Sequence, residues 1–394
     1  MKSTLSNTYN LLTKEKRLTI GYLGGSITYG SSAERIIENG EVVPDKKGTI
    51  KDSYANRVAF WFREQFPQAK IEVVNAGVAG THSQLGLYRL EKTLMNNDCH
   101  AMPDLVFIEF TSNDWIYGDH TAQITKAEVE SLVVNIRKLN PYADIVILAS
   151  NVKDIAISET KQVHREVAEH YGLTFIDLGA VLQNLKSTDC QSAFAESAAT
   201  KTLKYTVDNL HPSALGYKVY FDEIIKTLAP QLEALACEAT LINRLQSHPL
   251  PLSSEIFTPK MITANNITAP ENTELKELPL TVTLYGTNPE VPYNHALTDT
   301  CLILKQGEIA SAVFKGGVLG ILVELQSKTN IELQFSIDNG EWEAFNLDNE
   351  GLGFEKYKHT QAFMIKAGLT QGAHTVKLKS LTKTPLYLGA LLAQ

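Results

Sequence analysis

The chain has 394 residues, 44% of them hydrophobic and 20% charged, with a formal net charge of −8. That is more chain than one core usually holds, so two domains are expected. The acidic and basic residues are interspersed. This argues against a nucleic-acid partner, which needs clustered Lys and Arg to neutralise phosphates.

No apolar window reaches the roughly 18 residues of a membrane span. The first residues, "MKSTLSNTYNLLTKEKR", lack the apolar centre of a secretory signal. A cytoplasmic location is expected, with a secreted form trimmed of its leader as the alternative. Cys99, Cys190, Cys237 and Cys301 lie far apart and without metal-ligand spacing. No metal and no other cofactor is expected, and the oligomeric state is not legible.

Taken in chain order, short apolar runs alternate with longer segments of helical periodicity. The runs 18–24, 70–77, 104–110, 144–150 and 173–179 are continuously apolar. Strands covered on both faces of a parallel sheet read this way. Between them, 54–66, 84–95, 126–140 and 159–172 carry apolar residues near helical spacing, and a last helix is expected after "HPSALGY". Strands alternating with helices predict an α/β domain with a parallel sheet and right-handed crossovers, over 1–245.

The pattern changes near "HPLPLSSEIFTP" (248–259), which reads as a linker with three prolines. Beyond it come β-type runs at 280–286, 300–305, 317–326, 330–338, 374–381 and 385–392. "DNGEW" (338–342) marks a hairpin. Residues 246–394 are expected to form an all-β sandwich or jelly-roll domain.

In an open parallel sheet, functional groups collect beyond the carboxyl ends of the strands. Ser26 stands there, after the first run, behind Gly24 and Gly25. The segment lacks the GK[ST] of a P-loop, the third glycine of a dinucleotide fingerprint, and the last glycine of the G-x-S-x-G elbow. Gly77 and Gly80 follow the second run, Asn113 follows the third, and Asp208 and His211 lie three residues apart late in the domain. A nucleophilic serine needs a base, a carboxylate that orients the base, and donors for the developing oxyanion. Ser26, His211 and Asp208 supply the first set. The N–H groups of Ser26 and Gly80 and the Asn113 amide supply the second.

These blocks, "GGSIT", "NAGVAG", "TSND" and "DNLHP", resemble those of the SGNH (GDSL-type) hydrolases, over roughly residues 17–230. Glycine stands at 25 where the family commonly has Asp, and Thr111 stands where it has Gly. The resemblance implies a flavodoxin-like three-layer fold and metal-free, serine-dependent ester hydrolysis. It carries the catalytic roles onto Ser26, Asp208 and His211, and the oxyanion roles onto Ser26, Gly80 and Asn113.

Tyr29, His82 and Trp115 are candidates for lining the substrate pocket; packing and helix capping are the competing roles. By analogy with relatives that carry β domains, the expected substrate is a small-molecule or oligosaccharide ester, and the expected reaction is carbohydrate O-deacetylation. Lysophospholipase or thioesterase activity on longer chains, acyl transfer, and a carbohydrate-binding protein on a hydrolase scaffold stay open as alternatives.

Overall fold

The computed structural model describes residues 4–33, 35–38, 41–44, 52–96, 100–116, 121–150, 158–188, 205–207, 210–237, 245–246, 249–253, 256–288, 292–325, 330–347 and 359–394. The chain divides into two compact units: Met1–Ile256 with Thr283–Tyr293, and Phe257–Val282 with Asn294–Gln394.

The strands of the first unit are β1 (Arg17–Gly24), β2 (Arg35–Glu38), β3 (Glu41–Pro44), β4 (Lys70–Gly77), β5 (Leu105–Glu109), β6 (Asp144–Ala149) and β7 (Thr174–Asp177). The helices are α1 (Ser6–Asn10), α2 (Ser26–Tyr29), α3 (Tyr54–Gln65), α4 (Ser83–Leu90), α5 (Thr111–Ile116), α6 (Ala122–Leu139), α7 (Ser158–His170), α8 (Leu178–Thr188) and α9 (Ala214–Ala236). The parallel strands run in the order β4-β1-β5-β6-β7. This is the flavodoxin-like order, in which the chain reverses direction across the sheet next to the first strand.

β5 and β6 are buried along their whole length, and β1 is buried from Leu18 onward. That explains their unbroken apolar runs. On one face, Ile20, Tyr22, Val73 and Phe107 pack with Val58 and Phe62 of α3 and with Tyr217, Ile224 and Leu228 of α9. Helices α4, α6 and α7 also pack together in chain order. Ser53, Thr121 and Ser213 cap α3, α6 and α9, each accepting a backbone N–H in the first turn.

Register decides where the site lies. Gly24 pairs with Gly77 of β4 and with Glu109 of β5. Three neighbouring strands therefore end level, and the turns after them open on one edge.

The second unit contains β8 (Lys260–Thr263), β9 (Glu274–Lys276), β12 (Cys301–Leu304), β13 (Ile309–Lys315), β14 (Leu319–Leu325), β15 (Ile331–Ile337), β16 (Glu343–Leu347), β17 (His359–Lys366), β18 (Ala373–Ser380) and β19 (Leu386–Ala393); β10 (Leu280–Tyr285) and β11 (Pro292–Thr298) cross the division. One antiparallel sheet runs β17-β14-β19-β12-β9 with β8 also on β19, and the other runs β13-β18-β15-β16. Phe314, Leu333, Phe335 and Leu378 of one sheet share a core with Ile321, Val323, Leu388 and Leu391 of the other. This is the sandwich read from the alternating runs. At the "DNG" signal, Asp338 and Asn339 both have positive φ, and Gly340 N–H donates to Ile337 O over 2.8 Å. These are the marks of a type I′ turn.

The single cut expected at 245/246 differs from this packing in two ways. The described part of the proline-rich stretch, 249–253, is docked and does not act as a free linker. Leu252 N–H and Ser253 N–H donate to the two oxygens of the Glu130 carboxylate, each over 2.7 Å, and His170 Nε2 bonds Leu250 O over 2.7 Å. The chain later returns: 283–293 belongs to the first unit. There Tyr285 pairs antiparallel with Asn75 of β4, and Thr287 Oγ1 accepts from Val73 N–H over 3.0 Å. A polar, exposed β4 edge would otherwise present unpaired backbone groups.

Candidate active site

Ser26 opens α2, a single turn entered directly from β1 and closed by Gly30 in the left-handed region at φ 98°. The Ser26 turn is held by its neighbours. Gly25 N–H donates to Glu109 O over 3.3 Å, and Gly24 O accepts from Val78 N–H over 3.0 Å. Asn75 Nδ2 donates to Thr28 O over 2.8 Å. A Cβ at Gly77 would come within 3.0 Å of Tyr29 N. The glycine therefore marks a close approach of two backbones.

His211 Nε2 lies 2.8 Å from Ser26 Oγ, across 185 residues of sequence. Its turn is stapled at the base: Val207 N–H donates to His211 O, and Ser213 N–H donates to Tyr205 O, each over 2.9 Å. Ser213 then caps α9. The Tyr217 hydroxyl bonds Ile27 O over 3.0 Å and Ser31 O over 2.9 Å, which ties the helix that follows His211 to the Ser26 turn. Asp208 lies outside the described residues.

Gly80 sits at the third position of a turn in which Thr81 N–H bonds Val78 O over 3.3 Å. Its φ of 71° is what a type II turn requires there. Asn113 is buried, and its amide packs on the Cα of Gly25: a Cβ at Gly25 would come within 3.0 Å of Asn113 Oδ1. The turn after β1 and the side chain after β5 are thus in contact, and the Gly80 turn is bonded to the same strand end through Val78.

Asp114 locks these loops. Its Oδ1 accepts from Ser83 N–H over 2.7 Å and its Oδ2 pairs with His164 Nε2 over 2.9 Å, with both side chains buried. The start of α4, three residues from Gly80, is thereby fixed to α5, one residue from Asn113. This is the loop-fixing role that Asp residues commonly take in turns.

The pocket candidates have separate fates. The Tyr29 hydroxyl bonds Tyr285 Oη over 2.9 Å, with the rings edge to face at 5.1 Å, so the 283–293 segment braces it. His82 is buried at the N-cap position of α4 but makes no side-chain cap bond. Trp115 lies on α5, and its side chain is outside the described residues.

Two buried charges beneath the site did not emerge from the sequence reading. Glu109 ends β5, and its carboxylate accepts from Thr28 Oγ1 over 3.0 Å and from Ser150 Oγ. Tyr54 and Ser112 bond those two hydroxyls in turn. Burial drives the Glu109 carboxyl up to about 7, against the opposing pull of its hydrogen bonds. Arg89 of α4 is fully buried, and burial alone brings its guanidinium down to about 9. The available signal was a charge set inside an apolar run, "LVFIEF" for Glu109 and "LYRL" for Arg89. Among the described residues no three acidic, His or Cys side chains cluster as a metal site would need.

A model of the GDSL-like Lipase/Acylhydrolase family matches residues 22–219. In the comparison with curated proteins nothing matches. Among solved structures, a two-domain esterase active on acetylated mannans, co-crystallised with mannopentaose, is 19% identical with a TM-score of 0.72, over 100% of this chain and 95% of that one. A second structure of a two-domain esterase active on acetylated mannans has 19% identity and a TM-score of 0.71, over 100% and 96%. Axe2, an acetylxylan esterase from Geobacillus stearothermophilus, is 21% identical with a TM-score of 0.41, over 54% of this chain and 94% of that one. With the family model covering half of the chain, from the end of β1 to the first turns of α9 and including all four strand-end and loop blocks, the chain belongs to the GDSL-like lipase/acylhydrolase family and is a carboxylic ester hydrolase.

Proposed function

We propose that this protein is a serine esterase that removes an acetyl or similarly short acyl group from an O-acylated carbohydrate through an acyl-enzyme. The observation that carries the serine chemistry is the 2.8 Å contact of His211 Nε2 with Ser26 Oγ at the carboxyl end of β1. In the first half-reaction, Nε2 takes the Ser26 proton as Oγ attacks the ester carbonyl carbon. The carbonyl oxygen becomes an oxyanion, held by the N–H groups of Ser26 and Gly80 and by the Asn113 amide. Collapse breaks the bond to the sugar oxygen, which leaves with the proton from His211. Water then attacks the acyl carbon, gives its proton to His211, and the serine is regenerated as the carboxylic acid departs. The three-residue spacing of Asp208 and His211 supports Asp208 as the group that orients the imidazole.

The carbohydrate part rests on the likeness, along the whole chain, to a two-domain esterase active on acetylated mannans. The test is a series of p-nitrophenyl esters of rising chain length beside acetylated oligosaccharides, with Ser26→Ala as control. Turnover is expected to peak at acetate and to extend to the acetylated sugars. A preference for long acyl chains would overturn the short-acyl reading, and an active Ser26→Ala enzyme would overturn the nucleophile.

A further inference from the structure

Arg89 follows the Gly80 turn on α4 and points back under the sheet edge. Nη2 donates to Gly24 O over 2.9 Å, Nη1 donates to Ala76 O, and a longer contact of 3.5 Å reaches Thr93 Oγ1. Gly24 is the last residue of β1, and Ala76 is the last but one of β4. The fork therefore bridges the two strand ends that feed the Ser26 and Gly80 turns. Gly24 O is also the acceptor for Val78 N–H, so one carbonyl is shared by the Gly80 turn and the guanidinium.

Among the described residues no charged partner acts on the Arg89 guanidinium, whose carbon sits 6.0 Å from the Phe110 ring centre. Burying a cation without a counter-charge is costly, and an apolar side chain of similar volume avoids that cost. Such violations are expected at functional sites, where another requirement outweighs stability. Here the requirement is at hand: negative charge develops on the substrate just beyond these strand ends. With burial taking it only to about 9, the guanidinium keeps its charge at neutral pH.

We propose that Arg89 is a positioning residue for the oxyanion hole: its planar fork ties the ends of β1 and β4 so that the N–H groups of Ser26 and Gly80 keep the spacing the tetrahedral intermediate needs, with its positive charge behind them. The proposal rests on Ser26 as nucleophile. A lysine keeps the charge but replaces the rigid planar fork with a point donor on a flexible stem. A glutamine keeps one donor group and loses the charge.

The test uses the full-length protein as Arg89→Lys and Arg89→Gln, each checked for folding by thermal melting. kcat and KM are measured on p-nitrophenyl acetate, and affinity is measured for a boronic acid, which becomes tetrahedral and anionic on the serine. kcat is expected to fall about tenfold in the lysine variant and about a hundredfold in the glutamine variant, the latter near the loss for a direct oxyanion donor. KM should stay within about twofold, and boronate affinity should fall in proportion to kcat/KM. If the glutamine variant does not fold, the lysine variant decides. A folded variant with wild-type kcat, a loss confined to KM, or an unchanged boronate affinity overturns the role. Ser26→Ala separates the two readings: activity there removes the nucleophile itself, whereas a dead Ser26→Ala beside fully active Arg89 variants removes only the role of Arg89.

Discussion

At the scale of single residues, the site depends on what two side chains and one absent side chain do. Gly25 has φ −88°, which any residue can adopt, so its requirement is one of space. A methyl group there would press on the Asn113 amide. Gly25→Ala is expected to lower kcat by about 10²-fold with little change in KM or melting temperature, because it displaces the proposed oxyanion donor Asn113 and leaves the backbone fold alone. Steady-state kinetics on a small ester would check this, and a loss expressed only in KM would contradict it. Glu109 gives a stability prediction. Its folded-state carboxyl titrates near 7 against an ordinary 4.5. A raised acid contributes stability that is fully present below about pH 4.5 and lost as the pH rises through about 7. The wild type should therefore lose stability between pH 5 and pH 8. Glu109→Gln should remove up to about 3 kcal/mol of that loss. Asp144, raised to about 7 by burial, contributes in the same direction and remains in both proteins. Denaturant unfolding of the two proteins at both pH values isolates the Glu109 share.

At the scale of elements, the catalytic geometry is a matter of which helix is tied to which turn. α9 carries the His211 turn at its start and is tied to the Ser26 turn by the Tyr217 hydroxyl, which bonds Ile27 O and Ser31 O. Tyr217→Phe keeps the ring in the core and removes only this tie. Stability is expected to fall by about 1–2 kcal/mol, the cost of buried acceptors losing their donor. kcat should fall as well, because α2 then moves independently of His211. Unchanged kcat with reduced stability would show that α2 is positioned by β1, β4 and β5 alone.

At the scale of the molecule, the working residues of the proposed chemistry all precede Ile256, but the unit that holds them does not end there. Truncation at 256 removes 283–293, and with it the Tyr285 bond to Tyr29, the Thr287 bond to Val73 and the strand on the β4 edge. The shortened chain is expected to melt lower than the full protein and to associate through the bared edge. Its folded fraction should hydrolyse a small ester within about tenfold of the full-length rate, since a loss of that size or less reflects loosened support. Melting curves, sedimentation and kinetics together check this. A folded, monomeric and inactive truncation would place part of the active site beyond residue 256.

Much of this protein was legible from residues alone, for a local reason. A strand covered on both faces must be apolar throughout, so β1, β4, β5 and β6 could be read from composition in sequence. Their ends then placed Ser26, Gly80 and Asn113 on one edge. The His211 block was readable because Pro212, Ser213 and the apolar run after them announce a capped helix. Other features had no local signature. Glu109 is held by Thr28 and Ser150, 81 and 41 residues away. Arg89 bonds carbonyls of two different strands. The proline-rich stretch looked like a linker because its anchor, Glu130, lies more than a hundred residues upstream. The return of 283–293 to the first unit follows from an open sheet edge that exists only once the sheet has formed. Periodicity is set by which faces of one segment are buried, so sequence carries it directly. Whether a buried charge is held, a loop docked or an edge covered depends on partners that only folding brings within a few ångströms.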